Sequence, residues 1–178
     1  MRCIPACLFL FILALPLRAE WIQGDGFSYS LDAPVGWVLD RSLASQVEAD
    51  LVLYPQGSSY YKADSVITLS TFGLGGKVKT VQDLVQKDAQ DGKASNPKME
   101  ILKGPILSTK QLRSVPVYLY TRLKDGTCEA VAYVGEEDRV ILFVLSCPNV
   151  QVLHEDLPAL KETVGSYGSL PEKDEDAP

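Results

Sequence analysis

Residues Gly126 to Pro148 read GTCEAVAYVGEEDRVILFVLSCP, and this stretch decides the fold. Two apolar runs of strand length flank a polar turn, with a cysteine near the outer end of each. A two-residue loop at Glu137-Asp138 sets Glu136 opposite Arg139 and, in the same register, Cys128 opposite Cys147. One face then carries Cys128, Ala130, Ala132 and Val134 against Ile141, Phe143, Leu145 and Cys147. Small residues meet large ones there, as an interdigitating core layer requires. The stretch is therefore expected to be a core hairpin, with Cys128 and Cys147 joined as a disulfide.

That bridge depends on the compartment, and the start of the chain speaks to it. Met1-Arg2, an apolar run from Cys3 to Leu17, and Leu17-Arg18-Ala19 follow the charged, apolar, small-residue order of a secretory leader. Residues 1–19 are expected to be a signal peptide, 20–169 a single domain, and 170–178 a disordered acidic tail. The apolar run is short for a membrane span and no later stretch reaches spanning length, so the mature form is expected to have no transmembrane span and to be periplasmic or secreted. In an oxidising compartment, two cysteines at facing strand positions suit a structural bridge better than a metal or redox site. The chain carries a formal net charge of −6, which gives no electrostatic case for binding nucleic acid or anionic lipid.

Working outward, Phe27, Tyr29 and Leu31 alternate with polar residues as a half-buried strand ending at Ala33-Pro34. Ser42 is a candidate cap for a short helix, and Leu51 to Tyr54 and Val66 to Phe72 read as strands. Tyr60 and Tyr61, adjacent in the polar loop between them, are a candidate binding lip. The glycine-rich Gly73 to Lys77 lacks the spacing of a phosphate-binding loop and reads as a flexible connection. Thr80 with Asp83 signals a helix start, and Val81, Leu84, Val85 and Ala89 form its apolar stripe up to Gly92, where the helix is expected to end. Met99 to Leu107 is a weaker strand whose Gly104-Pro105 suggests a bend or an edge. Val117 to Leu123 alternates and should join the cysteine hairpin in a three-stranded meander. After Pro148-Asn149, apolar residues recur at helical spacing around Pro158, which either starts or kinks the last helix.

Chemistry-bearing patterns are scarce. His154 is the one histidine, without a G-x-S-x-G serine to activate. His154, Glu155 and Asp156 are consecutive, so on a helix they point around it and do not converge on a metal. Glu136-Glu137 and the acids of the tail read as solubilising charge. No catalytic, cofactor or metal residue is assigned.

The ordered pattern resembles the PsbP-like superfamily, which includes bacterial DcrB-like periplasmic proteins. Phe27 to Leu31 leading into Pro34-Val35-Gly36-Trp37 carries the resemblance, with the Leu51 and Val66 strands, Ala130 to Val134, Ile141 to Leu145, and the closing Leu160 to Tyr167. It implies an α+β fold: a single antiparallel sheet of about six strands flanked by helices in an α/β/α sandwich. It also implies a non-catalytic binding or accessory module of the cell envelope, whose partner is a protein or envelope component. Two other readings stand beside it. One is a hydrolase-type enzyme with unconventional carboxylate chemistry, whose sign would be a pocket holding two inward-facing acids of perturbed acidity. The other is a purely structural envelope protein.

Overall fold

The cysteine hairpin lies at the centre of a larger sheet. The computed structural model describes residues 20–24 and 27–170, so the expected leader and all of the tail beyond Leu170 lie outside the described residues. Its strands are β1 (Glu20–Gly24), β2 (Phe27–Leu31), β3 (Trp37–Asp40), β4 (Leu51–Pro55), β5 (Val66–Gly73), β6 (Glu100–Ser108), β7 (Ser114–Thr121), β8 (Cys128–Gly135), β9 (Arg139–Cys147) and β10 (Gly168–Leu170). The helices are α1 (Arg41–Ala44), α2 (Val81–Ser95) and α3 (Val150–Ser166).

A seven-stranded antiparallel sheet runs β3-β4-β5-β9-β8-β7-β6, and a separate three-stranded sheet runs β1-β2-β10. The expected single sheet of about six strands is thus corrected to two sheets. Short β10, which follows α3 directly, pairs with β2 and takes it out of the main sheet. Leu170, placed in the tail by its sequence, pairs with Ser28.

The hairpin register is the expected one, Cys128 opposite Cys147 through Gly135 opposite Val140, with the Glu136 N–H bonded to the Arg139 carbonyl at 2.9 Å. One face of the main sheet packs Ala130, Ala132, Ile141, Phe143 and Leu145 under α3, whose Leu153, Leu160 and Val164 are buried, and under the small sheet through Tyr29 and Leu31. The opposite face packs Val131, Tyr133 and Val140 under Leu84 and Val85 of α2. The connection from β5 to the far edge strand β6 must cross β9, β8 and β7, and α2 makes that crossing.

Local chemistry explains the other differences. Asp40, not Ser42, caps α1: its carboxylate accepts from the Leu43 N–H at 3.1 Å and from the Ser42 hydroxyl at 2.7 Å. Thr80 and Asp83 form a full capping box, as expected, but α2 continues past Gly92 to Ser95. Gly92 is not a stop signal. A Cβ there would collide with Cε of buried Met99 and reach its Sδ at 2.9 Å. The Gly73 to Lys77 segment is a closed turn: Gly75 and Val78 bridge through bonds of 2.7 and 3.0 Å, with Gly76 at φ +57°. Helix α3 is capped by Asn149 and runs through Pro158. Strand β6 is an edge strand with a register shift between Lys103 and Ile106, around Gly104-Pro105.

Glu136 is no solvated turn carboxylate. Arg113 grips it bidentately, Nη1 donating to Oε2 and Nη2 to Oε1 at 2.7 Å each, and the Tyr167 hydroxyl donates to Oε1 at 2.7 Å. Arg113 also bonds the Gly135 carbonyl and the Ser169 hydroxyl, tying the hairpin turn to β10.

Candidate functional site

Helix α2 covers its sheet face incompletely, and a trough opens beneath its C-terminal half. Its wall is Asp88, Asp91 and Gly92 of α2; its floor is Val131 and Tyr133 of β8 with Leu142 and Val144 of β9. Tyr120 of β7, Met99 and Leu123 close it toward the sheet edge, and Glu129 lies at one end. The cavity is about 310 Å³. A second of about 320 Å³, toward Ser95 and Thr127, shares Gly92, Met99, Leu123 and Glu129 with it, so the two form one depression.

Period-two alternation builds the floor: the residues that put Ala130 and Ala132 toward α3 put Glu129, Val131 and Tyr133 toward α2. Tyr120 pairs directly with Glu129 across β7 and β8. On the helix, Asp88 follows buried Leu84 by one turn and so faces the same floor.

A hydrogen-bonded chain crosses the trough. The Tyr133 hydroxyl donates to Asp88 Oδ2 at 3.0 Å, and the Tyr120 hydroxyl lies 2.8 Å from that of Tyr133. Burial raises the pKa of both tyrosines, holding them as neutral phenols. Burial also pushes the Asp88 carboxyl upward, partly offset by the Tyr133 bond. The half-buried Glu129 carboxyl is raised by burial first and by the like charge of Asp125, against a bond from the Ser146 hydroxyl at 3.3 Å. Glu129 and Asp88 are held by different groups, the Ser146 and Tyr133 hydroxyls.

The residues singled out by sequence lie elsewhere. Cys128 and Cys147 are buried on the α3 face as free thiols, so the expected disulfide is not formed in this structure. The Cys147 sulfur lies 3.4 Å from the Ser65 hydroxyl, and burial pushes its thiol up to about 11. Tyr60 and Tyr61 meet edge to face with ring centroids 5.3 Å apart, and Tyr61 is exposed, but neither lines the trough. His154 is exposed on α3, on the other side of the sheet. Among the described residues, no group of three His, Cys, Asp or Glu side chains is arranged to hold a metal ion. None of their helices is long and apolar enough to cross a membrane. Sequence reasoning missed Asp88, Tyr120, Glu129 and Tyr133. The available signal was Glu129, a carboxylate sharing strand parity with Val131 and Tyr133 inside a strand otherwise apolar on both faces.

No family model matches the chain, and no curated protein sequence matches it. Among solved structures it is similar to the cyanobacterial PsbP (CyanoP) of Synechocystis sp. PCC 6803, at 12% identity over 94% of this chain and 99% of that one, with a TM-score of 0.52. The fold is therefore PsbP-like.

Proposed function

We propose that this protein is an exported, non-catalytic binding or accessory module of the bacterial cell envelope, akin to the DcrB-like periplasmic proteins, and that it holds its partner in the trough beneath α2. The observation that carries this reading is the trough: an apolar floor with a few convergent polar groups, the usual make-up of a recognition site. The PsbP-like fold supports it at the level of architecture alone. In an oxidising compartment Cys128 and Cys147 close into a disulfide. Cys128 and Cys147 face each other across β8 and β9, and two cysteines at facing strand positions of an exported protein suit a structural bridge.

The hydrolase-type reading has one observation in its favour, two carboxyls of raised pKa in one trough. Against it, Asp88 and Glu129 are held by separate partners, the Tyr133 and Ser146 hydroxyls. A broad hydrolase panel on the purified mature protein is expected to show no turnover. Turnover abolished by Asp88→Asn or Glu129→Gln would replace binding with catalysis.

A further inference from the structure

The hydroxyl directions in the trough define the ligand it suits. Tyr133 has one proton and donates it to Asp88, so the 2.8 Å contact with Tyr120 is a bond that Tyr120 donates. Ser146 likewise donates to Glu129. With these protons committed, Tyr120, Asp88 and Glu129 offer the trough only lone pairs. Glu129 stands out among them. Among the described residues its one hydrogen-bond donor is a hydroxyl at 3.3 Å, the like charge of Asp125 acts on it, and no Lys or Arg forms an ion pair with it. A carboxylate held this way in apolar surroundings is costly until a cation joins it. The floor of Val131, Leu142 and Val144 suits an aliphatic stem, and about 310 Å³ is small, room for a side chain.

We infer that the trough receives a lysine or arginine side chain from a partner protein, its stem on the Val131–Leu142–Val144 floor and its cationic head between Glu129 and the Tyr120 oxygen. This rests on the binding reading above and names the chemistry of the partner. The adjoining cavity toward Ser95 and Thr127 gives the partner's backbone a course out of the trough, and Lys124 on its rim favours a single inserted cation over a densely basic segment.

The test is an NMR titration of the isotope-labelled mature chain with acetyl-Leu-Lys-Leu-amide, and with acetyl-Leu-Gln-Leu-amide as the neutral control. Saturable shifts confined to Asp88, Glu129, Val131 and Leu142 are expected with the lysine peptide, and at least tenfold weaker binding of the glutamine peptide. Glu129→Gln should remove that preference while leaving shifts elsewhere in its spectrum unchanged. Leu142→Lys, which places a tethered ammonium in the trough, should block the lysine peptide. Equal binding of both peptides in the trough overturns the cation inference and leaves the binding reading standing. No binding, or shifts mapping elsewhere, also overturns the inference, and turnover in the hydrolase panel would then show that the binding reading had failed as well.

Discussion

Replacing Glu136 by glutamine should cost about 2–3 kcal/mol. Its two carboxylate oxygens accept three bonds of 2.7 Å, two from Arg113 and one from Tyr167. Glutamine keeps one acceptor and turns an NH₂ toward a donor, so at least one charge-assisted bond is lost, each worth about 1.5–3 kcal/mol. Arg113, left without its counter-charge, adds to the cost. The Arg113 side chain is 34% exposed and that of Glu136 17%, so water softens the loss and keeps the total well below that of a fully buried pair. With a urea dependence of about 2 kcal/mol per molar, the unfolding midpoint should fall by about 1 M at neutral pH. Burial alone would raise the Glu136 pKa, but the bonds from Arg113 and Tyr167 outweigh it and hold it below the usual 4.5. Such a group stabilises fully above its unfolded value and loses that contribution as pH falls through its folded value. Wild type and variant should therefore converge in acid. A neutral-pH loss below about 0.5 kcal/mol, or one that persists undiminished well below the folded value, would refute the reasoning.

Glu129→Gln should act with the opposite sign. Glu129 is raised above its usual 4.5, so its stabilising contribution is complete below that value and is lost as pH rises through the folded value; the variant should be the more stable at pH 7 by urea titration, the gain vanishing below pH 4.5. Reduced protein should resist alkylation of Cys147, whose thiol is pushed up to about 11 by burial, whereas material recovered from the cell envelope should be lighter by two hydrogens in intact mass and about 3 kcal/mol more stable than its reduced form. Gly92→Ala should leave stability within about 0.5 kcal/mol of wild type in thermal or urea melts, because displacing the flexible end of Met99 offsets the helix-propensity gain of about 1 kcal/mol.

The central hairpin was legible because two independent constraints, a turn pair and a cysteine pair, agree on one register. The capping box of α2 and the edge position of β6 were legible for similar reasons, each having a local signature in Thr80-Asp83 and Gly104-Pro105. Division into two sheets was not. It depends on Gly168 to Leu170 meeting Ser28 to Ser30 across almost the whole chain, and three residues carry too little periodicity to announce a strand. Gly92 misled because a glycine in a helix can mark an end or a close approach, and only the position of Met99 distinguishes them. The trough lay hidden for the same reason: Asp88 and Glu129 are ordinary surface acids until α2 is laid across β8.

Site-specific photocrosslinking in cells tests the account most directly. A benzoylphenylalanine at Leu123, on the trough rim, should form a discrete protein adduct that disappears when Glu129→Gln is added, while the same group at Val35, exposed on the α3 side of the sheet, should form none. Adducts of equal yield at both positions, or no adduct at Leu123, would contradict it.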